Sequence, residues 1–430
     1  MNFAGLSTDQ APPISVPIRF FLTAPLFGVL AGFFLLFHDK LVFMSRYSIE
    51  SIVFTHMITI GVFGFVMLGA LTQMLPVLAG VKIKSVKTLT TYAHIALTSG
   101  LLLMGIGLLS QSQYINTIAS FLLGSGFLVM IGAILYATRT IKNITATILG
   151  MQISLSFAFV IVLMGLYLLY GYITSDTTLL HYHIANIHSV LAIFGFAGIL
   201  IIAVSFQVLP MFYVAPRFKR FCKQYVTKII AFGLILWIIL NLFFQDYALV
   251  AKMWIALFFW AFATTVWVKL NKRKRPISDV TVWYWRNASI FLTLGSFVWI
   301  FGEFFKEQYI IMTAILIGGG FLFSIMSGML YKIVPFLVWF HLNGMGYMSI
   351  PTVNEMIDKR VAKLQFILFV TALVGFIFSF YMDIFFIPSA ISFILSMVLL
   401  EYNIILPVYT YIQTKKKKPD FDMSMFGNLE

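Results

Sequence analysis

Hydrophobic positions along the chain form long continuous runs instead of the alternating patterns of soluble helices or strands. A helix needs about 20 apolar residues to cross a bilayer. Runs of this length predict twelve transmembrane helices, called spans 1 to 12, at about 18–38, 51–78, 90–110, 115–138, 146–173, 182–212, 226–245, 248–270, 280–302, 308–338, 363–382 and 384–412. The pattern predicts an all-α integral membrane protein with a single transmembrane domain over 1–430.

A short motif recurs in spans 2, 6 and 10. Span 2 contains FGF at 63–65 and ends in QMLP at 73–76, and span 6 contains FGF at 194–196 and ends in QVLP at 207–210. Span 10 ends in KIVP at 332–335. Such self-similarity predicts three groups of four helices, with approximate repeats 1–142, 143–275 and 276–430. Chance matches in a chain rich in Phe and Gly are the alternative.

Composition and charge support the membrane interpretation and suggest an orientation. Hydrophobic residues make up 61% of the chain, charged residues 10%, and the net charge is +14. Most of the 29 Lys and Arg fall in the loops after spans 2, 4, 6, 8 and 10 and in the tail, including Lys142 and Arg275. The opposite side holds Lys40, Arg46, Lys252 and Lys306. The positive-inside rule then predicts a multi-pass protein of a bacterial-type inner membrane with both termini cytoplasmic, and no nucleic-acid partner.

Two histidines stand at matching places in the repeated spans. His56 lies near the outer end of span 2, and His188 follows 132 residues later in span 6. Ionisable groups inside a membrane are costly and usually functional. A shared cofactor or metal site is therefore predicted, with imidazoles that only hydrogen-bond between helices as the alternative. The single cysteine, Cys222, rules out a thiolate cluster drawn from this chain alone.

The stretch LHYHIANIH at 180–188 adds His181 and His183 as candidate metal ligands. On a helix, His181 and His188 share a face but lie roughly 10 Å apart along the axis. One metal could be held by all three imidazoles only if the helix unwound around Tyr182. His181 and His183 are otherwise expected to orient His188, bind a propionate or hold a second metal, or to be ordinary polar residues at a helix entrance.

Span 10 offers Met312 as a soft ligand at similar depth, although a methionine in a hydrophobic chain also serves as core filling. Glycines in spans 2, 6 and 10 permit either close helix packing or the clearance that a flat macrocycle needs. Glu401, a lone acid in span 12, is a candidate proton carrier or ion ligand, or a hydrogen-bonding group between helices.

These features resemble subunit I of the haem-copper oxidases: twelve spans in three arcs of four, termini inside, and a histidine near the outer end of span 2. The segments FTHMITIGVFGFVMLGALTQMLP and ANIHSVLAIFGFAGILIIAVSFQVLP also look like helices of NnrS-type membrane haem proteins. The resemblance implies a b-type haem held by His56 and His188, or by His56 and Met312, with copper as a second candidate metal.

The chain departs from the oxidase pattern where oxygen reduction needs its ligands. Oxidases carry a histidine pair on span 7 and His-x-His on span 10, whereas here span 7 has no histidine and span 10 has only His341 at its cytoplasmic end. The resemblance therefore implies electron transfer or handling of nitric oxide or another diatomic gas, with a small redox partner or quinol, and no conventional oxygen reductase. A haem-free transporter or channel in the same lipid bilayer is the alternative.

Overall fold

The computed structural model describes residues 11–139, 141, 143–274, 279–302, 304 and 308–421. Every regular element that these residues form is helical. The long helices are α1 Ser15–Phe43, α2 Ile49–Val77, α3 Val86–Leu109, α4 Gln113–Thr138, α5 Ala146–Thr174, α6 Leu179–Tyr213, α7 Arg220–Phe243, α8 Gln245–Asn271, α9 Val280–Phe301, α10 Tyr309–Gly344, α11 Lys359–Phe378 and α12 Asp383–Thr414. Lys142, Arg275 and Lys306, which contributed to the charge pattern, lie outside the described residues.

Eleven of the helices in the described part of the chain are long and apolar enough to cross a membrane. The helix outside this group is α9, whose first half carries Trp283, Trp285, Arg286 and Asn287. Its 22 residues nevertheless pack between α8 and α10. The predicted all-α polytopic membrane fold is confirmed at this level.

The helices close into a ring around three inner members. Consecutive helices pack against each other along the chain, and α12 returns to pack against α1. The apolar stretches of α6 and α10 are the most buried, with 72% and 67% of their residues inside the protein. In α5 only 22% of the corresponding stretch is buried. Helices α2, α6 and α10 together line a common cavity. The repeated motif of the sequence therefore lies at the centre of the bundle.

Each inner helix widens into a π-helical segment at a corresponding place. These segments are Met57–Gly64 in α2, Leu191–Gly198 in α6 and Ala314–Leu322 in α10. A π-helix bonds each N–H to the carbonyl five residues back, and such turns are rare and frequent at functional sites. Apolar periodicity contains no sign of this wider winding. Sequence analysis placed the three helices correctly but missed their altered middle sections.

Glycines of the inner helices receive aromatic side chains from the preceding helix. A Cβ added at Gly61 would lie 2.5 Å from Phe27, at Gly195 it would lie 3.0 Å from Phe157, and at Gly320 it would lie 2.4 Å from Phe291. Each of the three glycines stands 15 positions before the proline of its helix, at Pro76, Pro210 or Pro335. The clearance considered for a macrocycle is therefore filled by helix packing at these positions.

Candidate metal centre

His56 is held by its own helix, one residue before the π-helical segment of α2. The helix is capped by Ser48, whose hydroxyl accepts a hydrogen bond from the Ser51 N–H at 3.2 Å. The His56 Nδ1 lies 2.7 Å from the Ile52 carbonyl oxygen. Because a carbonyl only accepts, Nδ1 carries the proton and donates, and Nε2 keeps its lone pair. That is the tautomer in which a histidine binds a metal through Nε2.

His188 is oriented in the same way by a neighbouring helix. Its Nδ1 lies 3.1 Å from the Ile161 carbonyl oxygen of α5. Gly165, one turn further along α5, permits this approach, since a Cβ there would lie 3.3 Å from the His188 Cε1. Nδ1 again donates, so Nε2 of His188 also keeps its lone pair.

The structure brings the two imidazoles together. The ring centroids of His56 and His188 are 6.2 Å apart, and their planes are inclined by 29°. An imidazole nitrogen binds a metal at about 2.0–2.1 Å, so two rings on opposite sides of one metal ion have centroids roughly 6 Å apart. The spacing of the two rings therefore matches that of two imidazoles bound to one metal atom. Residues 57–60, which follow His56, are half-buried. Gly318 of α10 is also half-buried, and a Cβ added there would have no neighbour within 4 Å.

A cation lies beside this pair, in the segment that precedes α2. Arg46, in the segment before α2, donates from Nη1 to Asn186 Oδ1 at 3.2 Å and from Nη2 to Ser189 Oγ at 2.9 Å. Both partners flank His188 in α6. The guanidinium also lies 5.1 Å from the centroid of the Tyr47 ring. These contacts connect the segment before α2 to α6 and help to position the two histidines relative to each other.

His181 occupies a different environment from His188, and His183 is half-buried on the same helix. The helix runs unbroken from Leu179 to Val190, so the unwinding needed to bring three imidazoles to one metal is not seen. His181 is buried among aromatic rings, with centroid distances of 5.4 Å to Tyr172 and 5.9 Å to Tyr182. The described residues contain no group of three or more His, Cys, Asp or Glu side chains placed to hold one metal. Roles as metal ligands or orienting groups for His181 and His183 stay predictions.

Met312 lies in the first turn of α10, among the half-buried side chains that pack against the core. Its role as an axial ligand stays a prediction. Glu401 of α12 has a buried Oε2 atom without a hydrogen-bond partner in the described part of the chain.

Sequence reasoning passed over one further imidazole inside a span. His94 of α3 places Nε2 2.8 Å from the Thr23 hydroxyl, which itself donates to the Arg19 carbonyl at 2.8 Å. The hydroxyl therefore accepts from His94, whose Nε2 carries the proton and cannot bind a metal in this arrangement. Phe20 and Phe65 present their rings edge-on at 5.3 and 5.5 Å. The sequence signal that could have identified His94 was an ionisable residue within an apolar run.

Comparison with known proteins adds no family assignment to this geometry. No protein-family model matches the chain, and no curated protein matches it. The resemblance to haem-copper oxidase subunit I and NnrS-type proteins therefore stays a prediction that depends on the motifs in α2 and α6.

Proposed function

We propose that the protein is a membrane-embedded b-type haem protein whose iron is held by His56 and His188. The observation that supports this most directly is the pair itself: two imidazoles 6.2 Å apart, each with Nδ1 bonded to a backbone carbonyl. Such outer hydrogen bonds fix the ring orientation and raise the basicity of the ligating nitrogen. Arg46 supplies positive charge at the outer edge, where the carboxylates of a porphyrin would need it.

The proposal includes a relationship to subunit I of the haem-copper oxidases. Two repeated features support three groups of four transmembrane helices. One is the π-helical segment in each inner helix, and the other is the glycine–phenylalanine contact 15 positions before each proline. In this arrangement α9 is the twelfth transmembrane helix. We also propose a bacterial-type inner membrane as the location, with both termini in the cytoplasm, from the distribution of Lys and Arg.

The chemistry proposed is electron transfer or reversible binding of a diatomic gas such as nitric oxide. A haem supplies an iron whose potential and gas affinity are set by its axial ligands and pocket. The chain supplies two oriented imidazoles, which would leave gas binding dependent on the release of one of them. The missing histidines in α7 and in the body of α10 argue against oxygen reduction at a haem-copper pair.

Absorption spectroscopy of the purified protein tests this proposal. We expect a Soret band and one iron per chain in the wild type, and loss of both in His56→Gln and His188→Gln. Glutamine keeps a group that can hydrogen-bond to the nearby carbonyl but does not replace the imidazole as an iron ligand. Metal analysis of the same samples distinguishes iron from copper.

His94→Gln is the matched control, because the Nε2 of His94 already donates to Thr23. We expect the control to keep the Soret band of the wild type. A folded, colourless wild type purified from haem-replete cells would contradict the proposal and favour the transporter alternative. Equal loss of colour in all three variants would show a general folding effect instead of ligation.

A further inference from the structure

A cavity of about 60 Å³ lies between the three inner helices, further toward their C-terminal ends than the histidine pair. Its lining begins ten residues after His56, or roughly 15 Å further along the helix axis. The walls come from α2, α6 and α10, with Trp285 of α9 completing them. The lining residues are Val66, Met67, Ala70, Leu71, Met74, Leu200, Ile201, Val204, Ser205, Val208, Trp285, Ile325, Met326, Met329 and Ile333.

The three walls are built from corresponding positions of the repeats. Counted back from Pro76, Pro210 and Pro335, the lining takes the residues at 10, 9, 6 and 2 positions before each proline. The set six positions before the prolines is Ala70, Val204 and Met329. A void produced by one misfitting side chain would not repeat in this way. The cavity therefore lies where three equivalent helix faces meet.

The chemistry of the walls selects the class of occupant. The lining side chains are apolar apart from Ser205, whose hydroxyl donates to the Ile202 carbonyl at 2.7 Å, and the edge of Trp285. Apolar cavities of this kind stay dry and bind small apolar molecules such as xenon. The volume exceeds the roughly 10–15 Å³ that one water-sized probe needs. Methionine side chains in the lining adapt readily to an occupant.

We propose that this central cavity is a binding site for a small apolar gas molecule, of the size of a diatomic. The inference depends on the proposed function only in taking a diatomic gas as the physiological occupant. The cavity would hold dissolved gas on the cytoplasmic side of the histidine pair. An ion or polar solute would meet only Ser205 and the Trp285 edge as polar groups in this lining, so the same feature opposes a transport pathway through the cavity.

Crystals of the full-length protein pressurised with xenon test the proposal. We expect anomalous density between Ala70, Val204 and Met329 in the wild type. Val204→Phe should fill the space and remove the density, with Ala70→Leu as a second filling variant. Val160→Phe is the matched control, because Val160 is 38% exposed on α5, away from the cavity. It should keep the xenon site.

Absence of xenon from the wild-type cavity, or a site that persists in both filling variants, would overturn the inference. Ordered water filling the cavity in unpressurised crystals would overturn it as well. The outcome is independent of haem: xenon in a colourless protein would retain the gas site while removing the proposed function, and a haem protein without xenon would do the reverse.

Discussion

The two histidines are positioned by backbone carbonyls, one from the same helix and one from a neighbour. The carbonyl of Ile52 lies one turn before His56, so any helix would supply it. The Ile161 carbonyl reaches His188 only because Gly165 leaves space between α5 and α6. Sequence spacing predicted that the two imidazoles belong together, but the glycine that permits the second contact has no distinguishing sequence context.

Gly165→Leu should displace the His188 ring and weaken metal or haem binding. The new side chain begins 3.3 Å from His188 Cε1, which is tighter than ordinary contact. Disturbing the support of a metal ligand costs about 10- to 100-fold in affinity. Titration with haem, followed by absorbance, measures the change. Gly132→Leu, at a position with no neighbour within 4 Å, is the control and should bind as the wild type does. Equal affinities for all three proteins would contradict the role given to Gly165.

An ion pair at the start of α9 gives a prediction about pH. Lys332 Nζ lies 2.6 Å from Asp279 Oδ2, while Asp279 Oδ1 accepts from the Thr281 and Val282 N–H groups and caps the helix. Burial alone would raise the pKa of Asp279, but the Lys332 ammonium and these hydrogen bonds outweigh it and hold the pKa below its usual value. The pair therefore stabilises the fold at neutral pH, and this contribution is lost as pH falls through the lowered pKa.

Asp279→Asn should lower the free energy of unfolding at pH 7 by about 1 to 2 kcal/mol, because Lys332 loses its counter-ion while asparagine still caps the helix. The value is below that of a fully buried pair because the Asp279 side chain is 42% exposed. Denaturation in detergent at pH 7 and near pH 3 measures it, and the difference from wild type should shrink at the lower pH. Asp358→Asn, at the cap of α11, controls for the change of capping residue. A deficit that is equal at both pH values would exclude the charge interaction.

At the level of elements, hydrophobic run length predicted the helices well because the cost of an unpaired backbone in lipid leaves few alternatives. The π-helical segments could not be predicted, since they depend on which carbonyl each N–H reaches. The sequence left two explanations for the glycines of the inner helices: clearance for a macrocycle or close helix packing. Side chains from α1, α5 and α9 show that packing explains Gly61, Gly195 and Gly320. Which neighbour fills each gap depends on how the helices pack in three dimensions, and that is not encoded in the local sequence.

Alanine at the three corresponding glycines should destabilise the bundle in a defined order. Gly61→Ala and Gly320→Ala place a Cβ within 2.5 Å of a phenylalanine, whereas Gly195→Ala leaves 3.0 Å. Overpacking of this kind costs about 1 to 3 kcal/mol, so the first two variants should melt at lower temperature than the third. Gly132→Ala should be neutral or slightly stabilising, since alanine favours helix. Thermal unfolding in detergent checks the order, and equal melting temperatures for all four variants would contradict it.

For the whole molecule, the distribution of Lys and Arg predicts which ends of the helices face the cytoplasm. Cys222 is partly exposed near the start of α7, on the side proposed as cytoplasmic. Ser175 lies exposed after α5, on the opposite side. The chain thus carries a natural reporter for one face and a simple place to add one for the other.

A membrane-impermeant maleimide should fail to label Cys222 in intact cells and label it after lysis. In a Cys222→Ser background, Ser175→Cys should be labelled without lysis. Gel shift after reaction with a bulky maleimide reads out both. The reverse pattern would invert the proposed orientation and place the histidine pair near the cytoplasm.

The widened turns beside the histidines are places where the inner helices can change in length. A π-helical turn holds about one residue more than an α-helical turn, so deleting a single residue from Met57–Gly64 would let this segment wind as an ordinary α-helix while the parts on either side largely keep their facing. The same deletion between Phe65 and Val77, where the helix is already α-helical, would rotate every residue before it by about 100° and turn His56 away from His188. Single deletions should accordingly be better tolerated within these turns than in the straight remainder of the same helices.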